Sequence, residues 1–170
     1  MFQPGEYVVY GCKGIHRIMD ITTLDMDGVS KDKKYYVMQP CGKQEGSVYA
    51  PVDAQKINMR LVMTKAEAEA FLSTIDSIAP LDIKSNKQRE EAYKECIRSC
   101  DPDELMRVIK TLYRRKQSRK AAGKKLTLTD LHYLTQAETI LYTELSLALD
   151  KSLEEMPDYI QSLVDQELVK

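Results

Sequence analysis

The rhythm of apolar and polar positions changes once along the chain, near residue 64. Before that point the apolar residues come in short runs. Tyr7-Val8-Val9-Tyr10 and Tyr35-Tyr36-Val37-Met38 are β-branched and aromatic, the composition that packs on a pleated surface. Ile15, Arg17, Met19 and Ile21 carry a weaker two-residue alternation. Ser47-Val48-Tyr49-Ala50 and Met59-Arg60-Leu61-Val62 complete a set of about five strands. Turn residues punctuate them at Gly11, Gly14, Asp27-Gly28, Pro40 to Gly42, and Gly46. Short, closely spaced strands in about 60 residues predict a small Tudor- or SH3-like β-barrel. Such a barrel usually offers an edge or groove to a partner and rarely performs chemistry.

From Thr64 the period becomes helical. Thr64-Lys65-Ala66-Glu67 is a capping box, in which the threonine hydroxyl accepts an amide hydrogen bond and the glutamate returns one. The helix it opens is expected to end near Asp76, before Pro80, and a second is expected from about Lys87 to Ser99. Asp101-Pro102-Asp103-Glu104 is the clearest start signal: the aspartate caps, proline takes the first helical position, and Glu104 is placed to close a box. The helix that follows buries Leu105, Val108, Ile109 and Leu112 at 3-4 spacing and stops by Gly123. Thr127 or Thr129 caps a fourth helix striped by Leu131, Leu134, Ala137, Ile140, Leu141, Leu145 and Leu149. Pro157 suits the first turn of a short acidic fifth. The expected class is α+β: a barrel over residues 1–63, then an all-α domain over 64–170 with an acidic extension from about residue 150.

Composition narrows the class further. In 170 residues, 43% are hydrophobic and 30% charged, a globular balance. No apolar run approaches the ~18 residues of a membrane span, so no membrane association is expected. Met1-Phe2-Gln3-Pro4-Gly5-Glu6 lacks the basic and apolar segments of a secretory signal. Cys12, Cys41, Cys96 and Cys100 are too few and scattered for a disulfide framework, so a reducing cytoplasm is expected. The net charge of −1 hides an asymmetry. Residues 64–129 hold 15 basic and 10 acidic side chains, residues 130–170 hold 2 and 9. Between Arg107 and Lys125 there are nine cations and no carboxylate. That density attracts phosphates or acidic proteins, although cations also suit the negative end of a helix dipole. The acidic C-terminus is a second candidate to neutralise it.

Catalytic patterns are sought and not found. No glycine-rich phosphate cradle and no Gly-x-Ser-x-Gly elbow occurs. Cys12 and His16 resemble a nucleophile and base in spacing, but they fall across a turn with no acid partner, and an exposed imidazole beside a turn thiol is the simpler reading. Cys96 and Cys100 share a helix face without the two further ligands that zinc needs. Capping accounts for Asp101, Asp103 and Glu104. No enzyme, cofactor, metal or small-molecule substrate is expected. Tyr7, Tyr10, Tyr35, Tyr36 and Tyr49 crowd the barrel; ordinary strand enrichment explains them better than an aromatic cage.

Taken together, an ordered set of residues resembles a known family. It runs Phe2-x-x-Gly5-Glu6-x-Val8-Val9-Tyr10, Gly14, the Gly28 turn, Tyr35-Tyr36-Val37-Met38 and Pro51-Val52. It continues with Ser99-Cys100-Asp101, then Val108-Ile109-Lys110-Thr111-Leu112-Tyr113-Arg114-Arg115, and Ala137-x-x-Ile140-Leu141-x-x-Glu144-Leu145-x-Leu147-Ala148. Order and spacing over residues 1–149 resemble the CarD/CdnL family of bacterial transcription regulators. The resemblance implies a Tudor-like domain that binds the RNA polymerase β subunit edge-on. It places that strand at Ser47, Val48, Tyr49 and Ala50, with Tyr49 where the family often has arginine. It also implies a helical domain that touches promoter DNA and changes open-complex stability without catalysis. The family wedges a tryptophan into the minor groove at the start of the second helix. This chain has no tryptophan, and Asn86 holds about that position. Arg89 remains of the basic residues that follow, Arg114 and Arg115 match family positions, and Lys124 and Lys125 fall in an apparent insertion. DNA contact through these six residues is expected to be phosphate-based, salt-sensitive and without sequence preference. The alternative is a protein-only adaptor whose helical domain docks on an acidic protein surface.

Overall fold

The structure, a computed structural model, describes residues 1–42, 45–56 and 58–168, with side chains of the last helix as far as Leu163. The chain divides into two compact units, Met1–Val62 and Met63–Lys170. The class is α+β.

The first unit is a five-stranded antiparallel sheet: β1 Tyr7–Tyr10, β2 Ile15–Thr23, β3 Lys34–Pro40, β4 Val48–Pro51 and β5 Met59–Leu61. Its spatial order β4-β3-β2-β1-β5 is that of a Tudor-like barrel, with β4 and β5 as the two edges. Val8, Tyr10, Ile18, Tyr36, Met38 and Ala50 form the core, with Phe2, Ile21, Val48, Val52 and Met59 packed around it. The alternation expected in β2 is corrected here. His16 and Ile18 are buried, whereas Arg17 is exposed and Met19 is 46% exposed. The register to β3 slips between Ile18 and Asp20. One extra residue in a bulge reverses the parity of the strand, so Ile21 rejoins the core three positions after Ile18.

The second unit contains α1 Lys65–Thr74, α2 Asn86–Arg98, α3 Pro102–Ala121, α4 Leu128–Leu149 and α5 Met156–Leu168. The Thr64 capping box is complete: Thr64 Oγ1 accepts from the Glu67 amide at 3.2 Å, and Glu67 Oε2 accepts from the Thr64 amide at 2.7 Å. A 3₁₀ turn over Ile75–Ser77 follows α1, and Lys110 of α3 donates from Nζ to the carbonyls of Ile75 and, at 2.9 Å, Ile78. At α3 the cap is half as expected. Asp101 accepts from the Asp103 amide at 2.8 Å, but Glu104 does not close a box, because the Asp101 amide already donates to Ser99 Oγ at 3.1 Å. Glu104 instead receives Cys96 Sγ–H and Arg107.

α3 and α4 form the core of this unit. Leu105, Val108, Ile109 and Leu112 are fully buried against Leu134, Ala137, Ile140, Leu141 and Leu145. Thr127, not Thr129, caps α4 by accepting from the Asp130 amide at 3.1 Å. Leu131 is 49% exposed and lies outside the buried stripe, which takes in Tyr133 and Tyr142 instead. α3 closes with paired bonds, Lys124 amide to Arg119 carbonyl at 2.8 Å and Gly123 amide to Lys120 carbonyl at 3.0 Å. Gly123 sits at φ +71°, the left-handed conformation that this closure requires. α5 buries Met156 and Ile160 completely, and its main contacts are with α4 and the 3₁₀ turn. It is a packed helix of the bundle more than a loose acidic strap for the basic stretch.

Candidate partner edge and phosphate-facing surface

One of the two edge strands of the first unit is β4. It pairs with β3 in the register Tyr36↔Ala50, Val37↔Tyr49 and Met38↔Val48. The Val52 amide donates to the Lys34 carbonyl at 3.0 Å. In an antiparallel ladder the hydrogen-bonding residues alternate, so Val52, Ala50 and Val48 spend their backbone groups on β3. Tyr49 turns its N–H and C=O to the open side. Pro51 lies at the next outward position, where a missing N–H leaves no gap in the ladder. The strand begins at Val48, one residue later than the sequence suggested, and exposed Ser47 precedes it after the Gly46 turn. Ala50 has its methyl in the core, whereas Tyr49 is 50% exposed. Of the four residues expected here, Tyr49 therefore presents both backbone and side chain.

In the second unit, the expected DNA residues separate into two groups. Arg89 on α2 and Arg114 and Arg115 on α3 line one cleft of about 340 Å3, together with Arg119 and the half-buried Pro80, Leu81 and Ile83 of the segment before α2. The Leu81 amide donates to Thr111 Oγ1 at 2.9 Å, which ties that wall to α3. Asn86 is exposed at the first position of α2 and accepts from Arg89 Nε at 3.0 Å. Arg89 also donates to the Tyr93 hydroxyl at 3.2 Å, a hydroxyl whose acidity burial lowers and the guanidinium partly restores. Arg115 donates from Nε to Asp130 at 2.6 Å, with side chains only 22% and 6% exposed. It joins α3 to the first turn of α4, so its first role is structural. Lys124 and Lys125 lie in the α3–α4 loop, exposed. Arg119, one of the nine cations of the basic stretch, was not among the six residues expected at DNA, and the apolar wall was not expected at all. Thr111, Arg114, Arg115, Ser118 and Arg119 follow the i, i+3, i+4, i+7, i+8 spacing of one helix face, and that spacing is the signal that finds the arginine.

The remaining candidates stay apart. His16 is buried, correcting the expected exposed imidazole; its Nδ1 lies 3.1 Å from the Gly14 carbonyl, and burial lowers its pKa. Cys12 is exposed while Cys96 and Cys100 are buried. Among the described residues no group of three or more His, Cys, Asp or Glu is arranged to hold a metal ion. Tyr10 and Tyr36 face the core and Tyr49 faces out, so the tyrosines do not converge on one cage. No helix among the described residues is long and apolar enough to cross a membrane.

Comparison with known families yields two adjoining matches. The CarD-like/TRCF RID domain model matches residues 2–63. The CarD C-terminal domain model matches residues 71–161. A search of curated proteins returns no match.

Proposed function

Because this chain belongs to the CarD-like family of RNA-polymerase-interacting transcription regulators, we propose that its first unit binds the polymerase β subunit by adding a strand to β4. The supporting observation is the open edge itself: Tyr49 directs its N–H and C=O away from β3. In strand addition, main-chain hydrogen bonds give affinity and alternate side chains give selectivity. Ser47, Val48, Tyr49 and Ala50 form the contact, with Tyr49 as the residue that meets the partner. The helical unit meets promoter DNA through phosphates, using Arg114, Lys124 and Lys125 as exposed cations and Arg89 beside the helix start. Arg115 supports the surface from its ion pair. Asn86 is a short amide already bonded to Arg89, so the DNA contact works without a wedge. The outcome is altered stability of the open promoter complex, in the cytoplasm, with no bond chemistry.

Tyr49→Pro tests the edge. It deletes one outward N–H and leaves the β3–β4 ladder its donors. Binding to the polymerase β lobe is expected to fall by about tenfold or more, with thermal unfolding little changed. Undiminished binding by a folded Tyr49→Pro protein overturns strand addition at β4. For DNA, each phosphate neutralised adds about −0.9 to the slope of log K against log salt, so duplex affinity should drop steeply as salt rises. Flat salt dependence leaves the polymerase contact and favours the protein-only adaptor, a reading that the lack of any tryptophan supports.

A further inference from the structure

The arginine cleft of the helical unit holds more positive charge than its internal contacts explain. Arg89, Arg114, Arg115 and Arg119 line it, and among the described residues the one carboxylate bonded to any of them is Asp130. Gathering like charges costs free energy unless an anion is present. Three of the four are also held in place from behind. Nε of Arg115 donates to Asp130, Nε of Arg119 to the Lys125 carbonyl at 2.6 Å, and Nε of Arg89 to Asn86. A guanidinium has five donors in a rigid fork. Fixing it through Nε leaves most terminal N–H groups for a ligand and removes part of the ordering cost of binding. Phosphate oxygens suit that geometry, because they accept paired, charge-assisted bonds.

Part of the lining is apolar. Pro80, Leu81 and Ile83 are half-buried, and the Leu81–Thr111 bond keeps them against α3. A duplex backbone offers spaced phosphates and sugar edges but keeps its bases stacked inside, so it has no base face to lay on that wall. A free nucleotide has both parts, an anionic tail for the arginines and a flat base for the apolar side. A cleft of about 340 Å3 is within the usual range for such ligands.

We propose that this cleft binds the oligophosphate of a free nucleoside di- or triphosphate, held as a ligand and not turned over. Bound there, it occupies Arg89 and Arg114 and so competes with DNA. The competition rests on the DNA contact proposed above; the binding of the nucleotide does not.

Calorimetry of the full chain with ATP, inorganic tripolyphosphate and sulfate, at matched ionic strength and without divalent cations, tests the proposal. The expected order is ATP tighter than tripolyphosphate and tripolyphosphate tighter than sulfate, at one site per chain. Arg114→Gln is expected to weaken ATP by about tenfold or more. Arg114 is exposed, so this change spares the core, and Lys65→Gln on α1 controls for net charge. ATP binding no tighter than sulfate, or weakened equally by Lys65→Gln, overturns the site. Binding of ATP no better than tripolyphosphate overturns the assignment to a nucleotide. A duplex that loses affinity on Arg114→Gln while ATP does not bind assigns the cleft to the DNA backbone: the inference then fails and the proposed function stands. ATP binding that leaves duplex affinity unchanged overturns the competition alone.

Discussion

Cys96 is the residue where burial and a hydrogen bond act on the same proton. Its Sγ–H donates to Glu104 Oε2 at 3.0 Å. Burial first, and the Glu104 carboxylate second, push the thiol up to about 12. The same bond, helped by Arg107, holds Glu104 below the usual carboxylate range against the opposing effect of its burial. The fold therefore favours the protonated thiol, while the unfolded chain releases that proton near its ordinary value of 9.0. The contribution is fully present below that pH and is lost as pH rises towards about 12. Denaturant unfolding from pH 9 upwards should show this decline, and Cys96→Ala should show less of it. A thiol reagent at neutral pH should modify exposed Cys12 first, and Cys96 only on unfolding; equal native rates would contradict the assignment. The sequence suggested one helix face for Cys96 and Cys100, but α2 ends at Arg98 and Cys100 lies beyond it at φ +62°. Glu104 was hidden because it approaches from the next helix, and an acid expected to cap α3 became a thiol's acceptor.

Elements were legible where their signals are local. The Thr64 box and the Asp101-Pro102 start each involve residues within one turn, and both helices begin where those residues stand. Thr64→Ala should cost about 1 kcal/mol, read as a lowered denaturation midpoint of the helical unit. A change within error would show that packing of Ala68 and Phe71 alone holds α1. Strands depend on partners, and there the reading slipped. The bulge in β2 reverses which residues face inward, and nothing in Ile18-Met19-Asp20 announces it. β4 starts at Val48 because its register is set by β3. The arginine cleft was legible only in part. Arg114 and Arg115 stand out in sequence, but their meeting with Arg89 and the Pro80–Ile83 segment depends on how α2 lies against α3.

Across the whole molecule, the two-part organisation was visible as a change of period, whereas the role of the acidic end was not. Charge suggested a strap, yet Met156 and Ile160 make α5 part of the core. Deleting residues 150–170 should therefore destabilise the helical unit by about 3–5 kcal/mol, measured by chemical denaturation. A truncated protein as stable as the full chain would return α5 to the status of a tail. At the other end of the chain, Pro51 limits what the open edge can do. A strand laid on β4 finds a proline one step past Tyr49, and the backbone donors stop there. So short a zipper, seated on few main-chain bonds, would give the proposed contact a brief residence time. Under the strand addition proposed above, release would be quick, and one copy would serve many successive polymerases.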